Sequence, residues 1–305
     1  MILNRVIQEI HSCKPHDGRS IGLACSGGMD SMLLLHILNE SKVPIHLLHF
    51  NHKWRKEESD EVVTWIEVHC EKTQMPYSIG KAKTKGVTSE GQARNERWEF
   101  LLKEARRHNL HSIWTAHHAD DLVETFLLQL CRGAGPDGLA GLIKERFRGG
   151  VKIIRPLLEF SRKELEVIAR DQKVAWKEDK TNKSLDFFRN RIRHQLLPMM
   201  SQMSGRESAP LILRTAKLIS DENDYWQKLI PNELPTKVFI KDIKHKHPAY
   251  QKRYIRSWLH SQNIRAPSYD QIEAVRLLMT HQKPSKVNLS KSRYCRRRAG
   301  YLFIE

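Results

Sequence analysis

The chain has 305 residues, and its 52 Lys and Arg against 35 Asp and Glu give a formal charge of +17. This length has room for two folded domains, and the positive excess favours a polyanionic partner such as nucleic acid. The five cysteines form no CxxC pair and no Cys/His cluster, which argues against a disulfide framework or a zinc site and favours a reducing cytoplasm.

The N-terminal half carries the pattern of an α/β sheet. Residues 1–14 predict an amphipathic helix and lack the apolar run of a signal peptide or membrane span. From Ser20 to Ala116, short β-like runs alternate with helical patterns, which is typical of a doubly wound, mostly parallel sheet. The predicted strands are 21–25, 45–50, 77–79 and 113–116.

Two predicted helices begin with a capping box. Ser89 and Gln92 have this spacing before a helical stretch that continues to about residue 108. Ser161 and Glu164 repeat the spacing before a second helix. Both pairs satisfy backbone N–H groups that a helix start otherwise leaves open.

The C-terminal third is the most basic part of the chain. Residues 1–200 contain 32 basic and 26 acidic residues, whereas residues 201–305 contain 20 basic and 9 acidic ones, a net charge of +11. Helices are predicted at 210–229, 250–259 and 268–278, followed by a hairpin that pairs 294–298 with 301–304. We therefore expect an α/β domain over 1–204 and a smaller, mainly helical domain over 205–305 that ends in a β-hairpin.

A glycine loop, Ser26-Gly27-Gly28-Met29-Asp30-Ser31, directly follows the first predicted strand. Adjacent glycines let backbone N–H groups approach a ligand, and the following helix start adds positive potential, so the loop suits phosphate. A Gly-Gly pair can also be only a turn, and Asp30 can be only an acid favoured at a helix start. No GxxxxGK(S/T) motif occurs, which disfavours γ-phosphoryl transfer.

The glycine loop resembles SGGxDS, the pyrophosphate-binding loop of the PP-loop superfamily (adenine nucleotide alpha hydrolase-like), whose members split ATP between the α and β phosphates. Further segments resemble the tRNA(Ile)-lysidine synthetase family, in the right order, across nearly all of residues 20–200. They are HFNHKWRKEESDE, EGQARNERWEF, TAHHADDLVETFLLQLCRGAGPDGLAGL, RPLLEFSRKEL and EDKTNKSLDFFRNRIRHQLLP. A weaker match, PAYQKRYIRSWLHSQNIRAPS, resembles the tRNA-contacting domain of the family.

The resemblance implies a two-step ligase reaction in the cytoplasm. The O2 atom of the wobble cytidine, in tRNA(Ile) with a CAU anticodon, attacks the α-phosphate of ATP and releases pyrophosphate. The ε-amine of free lysine then displaces AMP from C2 of the cytidine. ATP and Mg²⁺ are the implied cofactors, and the sequence does not decide between a monomer and a homodimer.

The resemblance also assigns residues to the nucleotide and to the reaction centre. The expected ATP contacts are Ser26, Gly27, Gly28, Met29, Asp30, Ser31, Asn51 and His52, with Asp30 also a Mg²⁺ ligand. The expected charge clamps are Arg94, Arg97, Arg189 and Arg193, with Asn190 beside them and Arg191 the weaker candidate. Arg94 and Arg97 can alternatively belong to a solvated helix face.

Acids and histidines after the strand 113–116 are the expected lysine site. Asp121 and Glu124, three residues apart near a helix start, share a helix face that can bind an ammonium group, with Asp120 as a third candidate. Their alternative role is to balance the helix dipole. His117 and His118 can order a phosphate or the lysine, or can simply pack. Glu90 is a candidate by family match alone.

Arginines of the C-terminal domain are the expected tRNA contacts. They are Arg253, Arg256, Arg296 and Arg298. Strand alternation predicts Arg296 and Arg298 on one face of the hairpin and Arg297 on the other. The alternative is a basic edge strand that protects against aggregation.

Two other functions remain open at this point. A tRNA sulfurtransferase of the same superfamily would also use ATP and RNA, but it would normally need paired cysteines or an iron–sulfur site. A non-catalytic RNA-binding protein would account for the charge but not for the glycine loop.

Overall fold

The computed structural model describes residues 1–53, 56–82, 90–177, 185, 188–264, 266–280 and 285–305. The chain divides into two compact units, Met1–Ser220 and Asp221–Glu305. This division lies later than the expected boundary after residue 204, which stays a prediction.

The first unit is built on a six-stranded sheet. Its strands are β1 (Ile21–Ala24), β2 (Ile45–Asn51), β3 (Tyr77–Lys81), β4 (Ser112–Thr115), β5 (Glu145–Arg148) and β6 (Val151–Ile154). They follow the order β3-β2-β1-β4-β6-β5, in which all neighbours are parallel except β5, which is antiparallel to β6. The predicted doubly wound, mostly parallel sheet is therefore confirmed.

Helices precede, connect and follow these strands, and the last of them continues into the second unit. They are α1 (Ile2–Cys13), α2 (Met29–Glu40), α3 (Lys56–Lys72), α4 (Glu90–Arg107), α5 (Ala119–Cys131), α6 (Pro136–Leu139), α7 (Arg162–Asp171), α8 (Phe188–Arg191), a π-helical turn (Ile192–Leu196), α9 (Leu197–Ser204) and α10 (Ser208–Leu229). Ile21 and Leu23 of β1 are completely buried, as expected of a strand that is covered on both faces.

The capping box at the start of α7 is confirmed. The N–H of Glu164 donates to Ser161 Oγ at 3.3 Å, and the N–H of Ser161 donates to Glu164 Oε2 at 2.8 Å. The predicted box at the start of α4 includes Ser89, which lies outside the described residues.

The β5–β6 hairpin is an element that the sequence analysis did not predict. Gly149 and Gly150 form its two-residue turn with φ values of +54° and +80°, a conformation that favours glycine. β6 then runs parallel to β4, so the residue after β6 joins the residues after β1, β2 and β4 at one edge of the sheet. Ligands of open α/β sheets bind at this carboxyl edge.

The second unit combines short helices with an antiparallel sheet. Its elements are β7 (Val238–Phe239), α11 (Ile240–Ile243), α12 (Pro248–Ser261), α13 (Tyr269–Leu277), β8 (Lys286–Ser290), β9 (Arg293–Arg298) and β10 (Tyr301–Ile304). The predicted hairpin is confirmed as β9–β10, and it lies in the middle of a sheet of order β7-β10-β9-β8. Trp258, Leu259 and Leu302 are fully buried in its core. None of the described helices in either unit is long and apolar enough to cross a membrane.

Candidate active site

The glycine loop is held in shape by its own serines. Ser31 Oγ donates to the Gly28 carbonyl at 2.9 Å, and the N–H groups of Ser26 and Gly28 donate to Ser31 Oγ and Ser26 Oγ at 3.2 and 3.3 Å. Gly27 has φ +83°, and a Cβ there would lie 2.9 Å from a methyl of Val62. This position therefore requires glycine, and α2 begins directly after the turn.

A buried histidine of β2 fixes the end of β1 beneath the loop. His49 Nδ1 lies 2.9 Å from the Cys25 carbonyl, which can only accept, so the imidazole donates. Burial lowers the pKa of His49, although this hydrogen bond opposes the shift. The sequence analysis did not single out His49, because its role depends on a neighbouring strand.

Asp30 lies at the start of α2, and one of its carboxylate oxygens has no hydrogen-bond partner among the described residues. Its Oδ2 is 3.7 Å from His118 Nε2, whereas its Oδ1 is buried without a hydrogen-bond partner among the described residues. Burial raises the pKa of Asp30, and the neighbouring His118 and Arg162 oppose this rise. An unpaired carboxylate oxygen beside a phosphate loop fits a hard cation such as Mg²⁺.

No group of three or more His, Cys, Asp or Glu side chains with metal-binding geometry occurs in the described part of the chain. Mg²⁺ does not require such a group, because it commonly binds one or two carboxylates together with phosphate oxygens and water.

His118 connects Asp30 to the acids of α5. It is buried, with Nε2 3.6 Å from Asp121 Oδ2 and Nδ1 3.6 Å from Asp120 Oδ2. Burial acts to lower the pKa of His118, but the three carboxylates outweigh it and raise the pKa above the ordinary value. His118 therefore balances acidic charge beside the glycine loop.

Asp120 and Asp121 also accept backbone N–H groups at the starts of two helices. Asp121 Oδ2 accepts the N–H of His118 at 3.0 Å, and Asp120 Oδ2 accepts the N–H of Arg162 at 2.8 Å. The pKa of Asp121 is lowered to about 2, because His118, His117 and Arg189 outweigh its burial. Asp121 is thus a carboxylate whose side chain keeps 16% of its surface exposed.

Glu124 is occupied by two arginines. Its side chain is 1% exposed, Oε1 lies 2.6 Å from Arg193 Nε, and Oε2 lies 3.0 Å from Arg189 Nε. Arg189 also donates to Thr125 Oγ1 at 2.8 Å. Burial raises the pKa of Glu124, and the two guanidinium groups oppose that rise. Glu124 was expected to contact the lysine substrate, whereas in the structure its direct partners are Arg189 and Arg193.

Arg189 lies in α8, and Arg193 lies in the π-helical turn that follows it. Arg189 and Arg193 are four residues apart and both reach Glu124, while Arg191 is exposed and stacks 5.3 Å from the Phe188 ring. Asn190 is half-buried between them. Single π turns are frequent at functional sites.

His117 experiences the charge of three arginines. Burial, together with Arg155, Arg97 and Arg189, lowers the pKa of His117 to about 3 against the opposing effect of Asp121, and its Nδ1 lies 2.7 Å from Thr115 Oγ1. His117 is therefore neutral near pH 7 and can act through hydrogen bonds, not as a cation.

Arg97 is a cation with no hydrogen bond to an acidic side chain among the described residues. Its Nε is buried and unpartnered, and burial together with Arg94, Arg189 and Arg148 lowers its pKa to about 10, so it remains a cation. Arg94 is exposed one turn earlier on α4. Unbalanced positive charge at the carboxyl edge fits a phosphate group.

Arg155, directly after β6, is a candidate that the sequence analysis missed. It is 2% exposed, its Nη1 donates to the Ile143 carbonyl at 2.7 Å, and its Nε has no partner among the described residues. Burial, then Arg146 and Arg94, lowers its pKa to about 10. The RPLLEFS segment and its place after a parallel strand are the signals that could have found it.

Asn51 and His52 lie at the same edge of the sheet, directly after β2. Asn51 is buried, its Nδ2 donates to Asp60 Oδ1 at 2.9 Å, and its Oδ1 accepts the N–H of Lys53 at 2.7 Å. Its side chain therefore holds the turn after β2, and an ATP contact stays a prediction. Burial and Arg97 lower the pKa of His52 to about 4.

The expected tRNA contacts of the second unit differ in how exposed they are. Arg253 donates to Asn223 Oδ1 at 2.6 Å and lies 5.3 Å from the Trp226 ring, whereas Arg256 is exposed. Arg296 and Arg298 are exposed on one face of β9, and Arg297 is half-buried on the other, as alternation predicts.

Two family models match the chain, the PP-loop domain over residues 2–200 and the TilS substrate binding domain over residues 240–303. A curated tRNA(Ile)-lysidine synthase of Francisella tularensis is 30% identical over 290 residues, which cover 90% of this chain and 70% of that protein. The chain belongs to the tRNA(Ile)-lysidine synthase family. It is an enzyme family with a PP-loop nucleotide-binding domain, which accounts for the glycine loop.

Other curated members of the family match the chain at similar sequence identity. The synthase of Haemophilus ducreyi is 29% identical, covering 90% of this chain and 65% of that protein, and that of Pectobacterium atrosepticum is 32% identical, covering 83% and 60%. The chain thus spans about two thirds of the length of these curated relatives.

Among solved structures, the chain resembles the U34-tRNA thiolase NcsA from Methanococcus maripaludis with its 4Fe-4S cluster. The TM-score is 0.58 at 17% identity, over 72% of this chain and 80% of that chain. At this identity the likeness shows the fold alone.

Proposed function

We propose that this chain ligates free L-lysine to C2 of the wobble cytidine of tRNA(Ile) with a CAU anticodon, with ATP cleaved to AMP and pyrophosphate. The observation that carries the proposal is the presence of carboxylates and cations together beside the glycine loop. Asp30 and Asp121 lie within 3.7 Å and 3.6 Å of His118, and Arg97 and Arg155 are close enough to His117 to lower its pKa. The carboxylates suit a cation, and the guanidinium groups suit phosphate.

In the first step the glycine loop binds the pyrophosphate end of ATP. Backbone N–H groups at the start of α2 and the hydroxyls of Ser26 and Ser31 are the donors available there. Mg²⁺ at Asp30 would neutralise charge on the pyrophosphate that leaves. Arg97 and Arg155 are cations at the same edge and would stabilise charge on the α-phosphate as the cytidine O2 attacks.

In the second step the lysine amine must approach the activated cytidine. Asp121 and Asp120 both have a lowered pKa and keep exposed surface, whereas the side chain of Glu124 is 1% exposed, so the two aspartates are better ligands for the lysine ammonium than Glu124 is. Glu124 acts indirectly in this scheme, because it orients Arg189 and Arg193. His117, being neutral, offers a hydrogen bond to the substrate without adding charge.

The second unit would position the tRNA by contacts to its phosphates. Its exposed arginines and the net charge of residues 201–305 support this role. The family match to a substrate binding domain over residues 240–303 supports it as well.

The proposal is tested by exchange of labelled pyrophosphate into ATP, measured with tRNA(Ile) transcripts that carry cytidine or uridine at position 34. We expect exchange only with the cytidine transcript and without any need for lysine. Exchange in the absence of both transcripts would contradict the proposal. Transfer of sulfur to position 34 would contradict it as well.

A further inference from the structure

The open face of the second-unit sheet presents aromatic rings next to cations. Strand register places Tyr301 opposite both Phe239 and Arg298, and Phe303 opposite Arg296. On the other side of β9, Lys286 and Asn288 of β8 lie opposite Arg296 and Tyr294. Because side chains alternate along strands, all of these residues share one face.

The other face of the same sheet forms the core of the unit. Val238, Cys295 and Leu302 belong to the buried cluster with Trp258, and Val287 packs against it. The four rings of the open face, Phe239, Tyr294, Tyr301 and Phe303, are not part of that cluster. They are thus not required to fill the core.

Cations hold these rings at the surface. The Nζ atoms of Lys286 and Lys237 lie 5.1 Å and 5.9 Å from the ring centres of Tyr294 and Phe303. Tyr301 is 41% exposed, and the centre of its ring lies 4.9 Å from that of Phe239. Flat rings beside cations offer the two kinds of contact that unpaired nucleotides need, stacking for bases and charge for phosphates.

The charge of the face is mainly positive. Arg298, Lys286 and Lys241 are exposed, and the carboxylate found on this face among the described residues is Glu305, which pairs with Arg296 at 2.6 Å. Cations alone would also fit a solubilising surface, but exposed aromatic rings do not serve solubility.

We propose that this face binds unpaired RNA nucleotides, with bases stacked on Tyr301 and Phe239 and phosphates held by Arg298. The inference rests on the proposed function in one respect, that the substrate is an RNA. It adds a contact that depends on base stacking, whereas the proposed function assigns the unit phosphate contacts alone.

The test uses the full chain without ATP or lysine, so its outcome does not depend on catalysis. Probes are an unstructured RNA of about twelve nucleotides with one 2-aminopurine, and a fully paired RNA duplex of equal length. Tyr301→Leu keeps an apolar side chain but removes the ring. Tyr225→Leu is the matched control, since Tyr225 is 61% exposed on α10 and lies off the sheet.

We expect Tyr301→Leu to weaken binding of the single strand by about fivefold or more, to reduce quenching of 2-aminopurine, and to leave the slope of log K against log salt unchanged. Arg298→Ala should instead flatten that slope by about one. Tyr225→Leu should bind as the wild type does. Equal binding by Tyr301→Leu and wild type, or a loss of the same size for the duplex, would overturn the inference. Thermal unfolding verifies that each variant is folded.

Discussion

Arg193 Nε lies 2.6 Å from Glu124 Oε1, although 69 residues separate the two in sequence. Because Glu124 also pairs with Arg189, it fixes two arginines of the α8–α9 segment against α5. We predict that Glu124→Gln lowers the rates of both half-reactions, because both arginines lose their anchor. It should also lower the free energy of unfolding by about 2 kcal/mol, since it leaves cations without a buried partner.

Urea unfolding and single-turnover assays of adenylation and lysine transfer measure these effects. A variant that adenylates tRNA normally and fails only in lysine transfer would instead make Glu124 a lysine ligand.

Asp121→Asn should separate the two half-reactions. The amide keeps its side-chain oxygen for the His118 N–H but loses the charge that attracts an ammonium group. We predict near-normal adenylation, accumulation of adenylated tRNA, and a KM for lysine that rises by at least about tenfold. Loss of pyrophosphate release in this variant would place Asp121 in the nucleotide site.

Asp30→Ala should abolish adenylation, with a decrease of at least about a hundredfold in pyrophosphate release. The variant removes the carboxylate oxygen that has no partner among the described residues, and it leaves the basic surface of the second unit unchanged. Its affinity for tRNA, measured by filter binding, should therefore stay close to that of the wild type. Wild-type rates of AMP formation would contradict a role at the leaving group.

Arg155→Met should lower kcat/KM for adenylation by about a hundredfold, because it removes a buried cation from the edge of the sheet where we propose that the nucleotide binds. Arg155→Lys should restore part of the activity, since it keeps the charge. The exposed Arg107, at the end of α4, supplies the control Arg107→Met, which should behave as wild type. If Arg155→Met lost stability but kept full activity when folded, Arg155 would serve only to hold the Ile143 carbonyl.

His117 makes the stability of the fold depend on pH. Its pKa is lowered from 6.5 to about 3, so below about pH 6.5 the unfolded chain takes up a proton there that the folded chain does not. The free energy of unfolding should therefore fall as the pH falls. Between pH 7 and 5.5 the wild type should lose about 1 kcal/mol more than His117→Asn. Urea unfolding at the two pH values tests this, with the exposed His16→Asn as control. Identical losses in wild type and His117→Asn would mean that His117 titrates normally.

The parallel strands were predictable because their apolar runs are fully buried, and the glycine loop was predictable because a turn of that shape needs glycine at position 27. The β5–β6 hairpin was missed although Gly149-Gly150 marks its turn, since its strands are short and largely exposed. Roles that depend on distant partners were harder to predict. From the sequence alone, Glu124 looks like an exposed helix acid, because its partners Arg189 and Arg193 lie more than 60 residues later in the chain. Arg155 likewise looks like a surface charge, because only the fold shows that it is buried.

Lysine incorporation tests the central claim most directly. Purified protein is incubated with ATP, labelled lysine and the tRNA(Ile) transcript with a CAU anticodon, and the modified nucleoside is identified by mass spectrometry after digestion. We predict one lysine per tRNA, attached to cytidine 34, with AMP and pyrophosphate released in equal amounts. Pyrophosphate release with no lysine in the tRNA, or lysine attached at any other nucleoside, would contradict the account.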